Sequence, residues 1–211
     1  MAAIAEPFKY ENAVALELPS GAVIAGIDEV GRGPLAGPVV VAAVILPRPP
    51  EEFTIPVNDS KKLTERKREE LAAALKADPR VRYAIVMRSA AEIDRMNILR
   101  ATQDAMREAA LAIHADYALI DGLAFKPFPY PAKFIVKGDS NSASIAAASI
   151  LAKTTRDALM VELDARYPGY GFADNKGYGT AAHLAALNRL GPCPEHRRSF
   201  SPVAQPTLFD L

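Results

Sequence analysis

The rhythm of apolar and polar positions changes several times along the chain, and each change predicts an element. Val23 to Asp28 and Val39 to Leu46 read as strands, the second so uniformly apolar that it is expected to be buried on both faces. The Gly31 to Pro38 turn would let these two strands pair. Pro47, Pro49, Pro50 and Pro56 then forbid regular structure and predict a connecting loop. Thr64 can cap a helix running to about Lys76, with Leu71 and Leu75 at helical spacing. Arg80 to Met87 alternates as a strand, and Ser89 with Glu92 has capping-box spacing for a short helix. Asn97 caps the next predicted helix, where Leu99, Thr102, Met106, Ala109 and Ile113 form a stripe that must pack on something. Tyr117 to Ile120 and Lys133 to Val136 are short strands, and a long helix is expected from about Ser144 to Tyr167.

Strands followed by helices with short links indicate an α/β fold, a mixed sheet covered by helices. The pattern divides the chain into an N-terminal segment (1–20), an α/β domain (21–167), a looped and helical C-terminal extension (168–202) and a flexible tail (203–211). In the extension, Thr180 starts a helix that ends near Gly191. No internal repeat is present.

Composition narrows the function classes. At 211 residues the chain has room for one good core. Its single cysteine, Cys193, cannot form an intramolecular disulfide, and the N-terminus lacks a signal-peptide pattern, so a cytoplasmic protein is expected. The longest apolar stretch, Pro38 to Pro47, falls well below the roughly 20 residues of a membrane-spanning helix. Lysines and arginines number 25 and acids 25, which argues against tight non-specific DNA binding but not against a local grip on phosphate.

The candidate chemistry lies in the acids. Asp28 and Glu29 sit where a strand runs into a glycine-rich turn, and neighbouring strand residues point to opposite faces unless the backbone bends between or just after them. Gly31 and Gly33 permit such a bend. Asp121 likewise ends an apolar run before a glycine, and Asp139 follows another short strand. Burying such carboxylates together without cations is costly, and divalent metals remove the conflict. Hard oxygen ligands select Mg²⁺ or Mn²⁺, and no histidine–cysteine cluster has zinc spacing. Asp157 competes for a place in the site, but beside Arg156 on a helix it reads as a solvated or locally paired face.

Six segments occur in an order that resembles the type 2 ribonucleases H, specifically bacterial ribonuclease HII. They are Gly26 to Pro38, Asn58 to Leu63, Asp121-Gly122, Lys137-Gly138-Asp139 leading into Ser144 to Lys153, Gly177-Tyr178-Gly179-Thr180 before His183, and Glu195 to Phe200. The resemblance spans about residues 23 to 202. It implies the ribonuclease H-like sheet, which spacing alone does not name. It also implies an endonuclease that cuts the RNA strand of RNA–DNA hybrids and nicks DNA 5′ to an embedded ribonucleotide, leaving 3′-hydroxyl and 5′-phosphate ends.

By that resemblance Asp28, Glu29, Asp121 and Asp139 are the catalytic, metal-holding acids, with two Mg²⁺ or Mn²⁺ ions acting together. Backbone groups around Gly31, Arg32 and Gly33 would sense the 2′-hydroxyl, and the Tyr178 ring would pack on the deoxyribose beyond the junction. Ser60, Lys61 and Lys62 would contact phosphates. Ser149 and Lys153, four residues apart, share a helix face toward the substrate backbone or toward solvent. His183 and His196 read as structural hydrogen-bonding residues, His114 as exposed, and Arg197 and Arg198 as phosphate contacts or tail anchors. A monomer is expected.

Two rivals accompany this reading. Ribonuclease HIII shares the acid arrangement, but the chain has no room for that family's extra N-terminal domain and its Gly-Arg-Gly triplet favours type HII. A catalytically silent hybrid-binding module is disfavoured by the four acids. Beyond the last family segment, Gln205-Pro206-Thr207-Leu208-Phe209 resembles a bacterial sliding-clamp-binding motif, with Gln205 as polar anchor and Leu208 and Phe209 entering an apolar pocket. The alternative is that Leu208 and Phe209 fold back on the domain itself.

Overall fold

The computed structural model describes Ile4 and residues 6–48, 52–58 and 60–204. The side chain of Lys62 and the tail residues Gln205, Leu208 and Phe209 lie outside the described part. The elements run α1 (Lys9–Ala15), β1 (Ile24–Val30), β2 (Val39–Ile45), α2 (Glu65–Ala77), β3 (Arg82–Arg88), α3 (Ala90–Met96), α4 (Ile98–Ile113), β4 (Tyr117–Asp121), β5 (Ala132–Ile135), α5 (Ala143–Arg166), α6 (Phe172–Asn175) and α7 (Ala181–Leu190).

The five strands form one mixed sheet in the order β3-β2-β1-β4-β5. β1 pairs antiparallel with β2 and parallel with β4, so it is the strand at which direction changes. β2 is buried along its whole length, as its unbroken apolar sequence predicts. Val40, Ala42 and Val44 pack on one side with Leu71 and Leu75 of α2 and the alanine-rich first half of α5. Val41, Ala43 and Ile45 pack on the other with Ala105, Met106, Ala109 and Ile113 of α4. The result is three layers, with helices on both faces of the sheet.

Local signals set the helix starts. The side chains of Thr64, Ser89, Asn97 and Thr180 accept hydrogen bonds from Lys67, Glu92, Arg100 and His183 N–H groups, and Ser89 with Glu92 closes a full capping box. Ser142 caps α5 in the same way. The α4 stripe is shifted from its expected line: Leu99 is exposed, and Ala101 and Ala105 take the buried face because small side chains bring the helix close to the sheet.

α1 lies in the N-terminal segment and carries a buried acid, Glu11. That carboxylate accepts from Ser142 Oγ (2.6 Å), Ser144 N–H (2.9 Å) and Ser144 Oγ (2.7 Å), so it closes the N-terminus of α5. At the other end of α5, Met160 and Leu163 join Ala36, Tyr170, Phe172, Ala186 and Cys193 in a separate apolar cluster, which seats α6 and α7 against the Gly31–Pro38 loop. Among the described residues, no helix is long and apolar enough to cross a membrane.

Candidate active site

The site is built at the ends of β1 and β4. β1 does not stop at Asp28 but continues through Glu29 to Val30, and the chain bends only at Gly31, where φ is +92°. Asp28 and Glu29 therefore begin on opposite faces of the sheet. The parallel register pairs Gly26 with Leu119 and Ile27 with Ile120, so Asp28 and Asp121 come next, at the same level and on the α5 face. α5 reaches that face because β1 has glycine at 26: a Cβ there would sit 2.1 Å from the backbone carbon of Ser144.

Around this pair the polar groups are arranged in detail. Asp28 is 4% exposed; its Oδ1 accepts from the Glu29 N–H at 2.8 Å, and Ser149 on α5 bonds to the same carboxylate. The Ser149 hydroxyl is 2.8 Å from that of Ser60, so the Ser60–Lys62 turn is tied to α5 immediately behind the acids. Asp121 accepts from the Gly138 N–H at 2.6 Å, which brings the turn carrying Asp139 alongside. Asp139 is buried and paired with Lys61 at 3.1 Å, while Glu29 is paired with Arg32 at 3.3 Å.

These surroundings fix the electrostatics. Burial holds the Asp28 carboxyl well above the usual range, and repulsion from Glu29 and Asp121 adds to it. Burial also raises Glu29 against the opposing pull of Arg32, and raises Asp121, with Asp139 contributing repulsion. The site thus stores unfavourable negative charge that a cation would relieve. Among the described residues no three acid, histidine or cysteine side chains close around one point. Glu29 starts on the far face, and Lys61 and Arg32 draw Asp139 and Glu29 into ion pairs.

The Gly31–Pro38 loop is held by two buried guanidinium groups. Arg197 donates to the carbonyls of Gly31 (2.5 Å), Arg32 (3.0 Å) and Gly37 (2.8 Å). Arg156 donates to Pro38 (2.9 Å), Ala36 (3.0 Å) and Lys176 (2.9 Å). Burial pulls the Arg197 pKa down to about 9 and that of Arg156 to about 10. The Gly177–Tyr178–Gly179 turn docks on the same loop through Leu35 N–H to Gly177 C=O at 2.8 Å. A Cβ on Gly177 would lie 2.5 Å from the Ala36 oxygen, and one on Gly33 would lie 3.6 Å from the Tyr178 ring. Tyr178 is 45% exposed, a ring presented at the surface beside Gly33.

The structure gathers Asp28, Glu29, Asp121 and Asp139 with Gly31, Arg32, Gly33, Ser60, Lys61, Ser149 and Tyr178 at one end of the sheet. Some of these residues differ from expectation in their surroundings. Ser60 and Ser149 are buried and bonded to each other, so neither is a bare surface hydroxyl. Lys153 is engaged by Asp157 at 2.6 Å, and Asp157 also meets Arg68 at 3.4 Å. The Arg156–Asp157 stretch is buried rather than solvated. Arg197 is fully buried as the clamp of the glycine loop rather than open to phosphate, whereas Arg198 is exposed and its N–H bonds Asp94; the tail that either was expected to anchor lies largely outside the described residues. His183 and His196 are buried and hydrogen-bonded to each other, as structural residues should be, and His114 is exposed. Sequence reasoning missed Glu11 and the clamp roles of Arg156 and Arg197. Their partners are distant in sequence, and their immediate neighbours are polar or charged, so no local pattern marks them as buried.

Comparison with known proteins agrees with this fold. The ribonuclease HII family model matches residues 25–203. Ribonuclease HII of Chlamydia caviae is 58% identical over 185 residues, covering 87% of this chain and 86% of that protein. Among solved structures, the PCNA:RNase HII complex from Archaeoglobus fulgidus matches with a TM-score of 0.73 at 27% identity, over 89% of this chain and 100% of that one. Ribonuclease H2 from Pyrococcus horikoshii OT3 matches with a TM-score of 0.70 at 28% identity, over 86% and 95%. The chain therefore belongs to the ribonuclease HII family and is a ribonuclease H, an endonuclease of a divalent-metal-dependent family.

Proposed function

We propose that the protein hydrolyses the RNA strand of RNA–DNA hybrids and nicks DNA 5′ to an embedded ribonucleotide, leaving 3′-hydroxyl and 5′-phosphate ends. The observation that carries this reading is the placement of four carboxylates beside a clamped glycine loop and an exposed tyrosine. The first supplies a place for phosphodiester hydrolysis, and the second and third supply a way to inspect the sugar next to it.

The residues present fit divalent metal. The donors are all carboxylate oxygens, and the raised pKa values of Asp28, Glu29 and Asp121 mark a charge that wants a cation. Mg²⁺ is ordinarily held by one or two carboxylates together with substrate phosphates, which suits acids that do not close a cage on their own. Asp28 and Asp121 would share the ions, with Glu29 and Asp139 at the flanks. The chemistry such a pair of Mg²⁺ or Mn²⁺ ions supplies when bound is activation of the attacking water and stabilisation of the leaving 3′ oxygen.

The chain's own groups do the rest. Arg197 and Arg156 fix the glycine loop so that the peptides at Gly31, Arg32 and Gly33 meet the ribose without reorganising. Lys61, with Lys62 beside it in sequence, and Arg32 stand at the site's edge, where incoming phosphates compete for the cations now paired with Asp139 and Glu29. Ser60 and Ser149 brace Asp28 from behind, and Lys153, partly buried and now paired with Asp157, lies on the same helix face, where the substrate backbone would compete for it. Tyr178 packs on the sugar beyond the junction, which makes residues 168–202 the substrate-reading part of the chain and 21–167 the catalytic part.

A second surface belongs to the tail. The Archaeoglobus relative was solved with PCNA, and Gln205, Leu208 and Phe209 provide a peptide of the kind that a clamp pocket accepts. The deciding assay for the main reading is cleavage of a duplex containing one ribonucleotide, with and without Mg²⁺ or Mn²⁺. A metal-dependent nick on the 5′ side of that ribonucleotide is expected. Metal-dependent binding without any cut would leave the silent hybrid-binding module.

A further inference from the structure

His183 and His196 are almost completely buried, 0% and 1% exposed, and take no part in the chemistry above. Their Nε2 atoms are 3.1 Å apart, so one ring must donate to the other. Backbone groups at each end decide which. The Cys193 N–H points at His196 Nδ1 at 3.0 Å, and a peptide N–H can only donate, so that nitrogen is unprotonated. Neutral His196 then carries its proton on Nε2 and gives it to His183 Nε2. His183 in turn carries its proton on Nδ1, which lies 2.8 Å from the carbonyl oxygen of Tyr178, a group that can only accept. The polarity of the whole chain, from Cys193 N–H to Tyr178 C=O, is fixed by its two ends.

The Tyr178 carbonyl is thus gripped twice, by His183 Nδ1–H and by the Thr180 N–H at 2.8 Å. The first bond leads through the two rings into the segment that also supplies Arg197, the clamp of the loop on which Gly33 sits. We infer that His183 and His196 form a one-directional hydrogen-bond relay that positions Tyr178 over Gly33, making His183 a positioning residue for reading the ribonucleotide junction. The inference rests on the reading of Tyr178 as the ring that meets the sugar. A purely structural histidine pair would fill the same volume but would owe nothing to the direction of its protons.

That difference is testable with two substitutions of similar bulk. The amide of His183→Asn falls near the place of ring Nδ1 and keeps a donor for the Tyr178 carbonyl. The amide of His183→Gln reaches the place of Nε2 and leaves the carbonyl without that donor. Cleavage is compared, as kcat/KM, on a duplex with a single embedded ribonucleotide and on a continuous hybrid, with Tyr178→Ala as reference. Loss of one hydrogen bond corresponds to about tenfold. His183→Gln is expected to lose about that much on the single-ribonucleotide duplex and distinctly less on the hybrid, with His183→Asn well above it. Equal losses in the two histidine variants, alongside a selective Tyr178→Ala defect, would overturn the relay alone. No selective defect in Tyr178→Ala would overturn the reading of Tyr178 and the positioning role with it. Nitrogen-15 NMR of the unsubstituted protein decides the relay even where a variant fails to fold. His183 protonated on Nδ1 and His196 on Nε2 supports it, and the opposite tautomers refute it.

Discussion

Asp28 and Asp121 lie side by side on one face of the sheet because β1 and β4 run parallel with Ile27 opposite Ile120. The pairing depends on register alone. A slip of one residue would send one carboxylate to the α4 face and separate the acids. Register is set in turn by the apolar residues beneath, Ala25, Ile27, Ala118 and Ile120, which share the core under α4. The same packing that stabilises the sheet therefore holds together two charges that repel, and this opposition yields the first two expectations.

Asp28→Asn or Asp121→Asn keeps the shape and removes a charge that burial and its neighbours already disfavour. Metal-free variants should therefore melt at or above the temperature of the unsubstituted protein, while cleavage falls a thousandfold or more, about 4 kcal/mol of transition-state stabilisation. Calorimetry and single-turnover rates check the two halves. Near-normal turnover at saturating metal would remove these acids from the site.

Divalent cations should stabilise the resting protein without substrate. Binding to the folded chain alone contributes about 2.7 kcal/mol at a concentration one hundred times Kd. A rise in Tm on adding Mg²⁺ or Mn²⁺, lost in Asp28→Asn, is expected. An unchanged Tm across a wide range of metal would mean that the four acids need substrate phosphate before they hold an ion.

How much of this was legible depended on whether the determining contacts were local. The strand end at Asp121, and caps at Thr64, Ser89, Asn97 and Thr180, follow from short-range patterns and appear where the sequence predicts them, whereas β1 runs two residues past its expected end at Asp28. Leu99 broke the apparent helical stripe because alanines, not the largest side chains, face the sheet in α4. Arg197 could not be read as a clamp, since its acceptors Gly31 and Arg32 are more than 160 positions away. Nor could the Arg156–Asp157 pair be placed. A helical charged pair looks solvated unless one knows that Pro38, Ala36, Lys176 and Arg68 close over it.

Gly26 is required by packing rather than by backbone conformation. Its missing Cβ would overlap the main chain of Ser144 at 2.1 Å, where no side-chain rotation can relieve the clash. Gly26→Ala should therefore push α5 off β1 and cost about 1–3 kcal/mol or more. Because Ser149 moves with α5, activity should fall beyond what the lost stability explains at a temperature where the variant is folded. Chemical denaturation gives the first quantity and cleavage the second. A stability change under about 0.5 kcal/mol, the range of ordinary surface substitutions, would contradict the close approach of these two elements.

The tail and the cleavage site should be separable. Deleting residues 205–211 is expected to leave cleavage of a short duplex unchanged while abolishing calorimetric binding to a sliding clamp from the same organism. Should truncation instead lower Tm by several degrees, Leu208 and Phe209 would be part of the domain's own packing.

The histidine relay also predicts how stability varies with acidity. Burial, followed by repulsion from His183, pulls the His196 pKa down to about 4, and burial lowers that of His183. Both are ordinarily near 6.5 when the chain is unfolded. A depressed folded pKa means that the unfolded chain binds more protons, so this contribution to stability is full above about pH 6.5. It is lost progressively as pH falls toward 4, by at most about 3 kcal/mol for His196. A further proton must break bonds of the relay, because His183 Nε2 already accepts from its partner and His196 Nδ1 already faces the Cys193 N–H, with the Cys193 thiol 3.1 Å away on the same nitrogen. The nearby Arg198 charge acts in the same direction. Asp28, Glu29 and Asp121 act oppositely: their raised pKa values favour the folded state as pH falls. The informative quantity is therefore the difference between the unsubstituted protein and His196→Gln, followed by denaturant unfolding from pH 7.5 to 4.5. The unsubstituted protein should lose more stability than the variant between pH 6.5 and 4.5. Parallel curves would mean that the buried pair exchanges protons in the folded state as freely as in the unfolded one, and that its polarity is not locked.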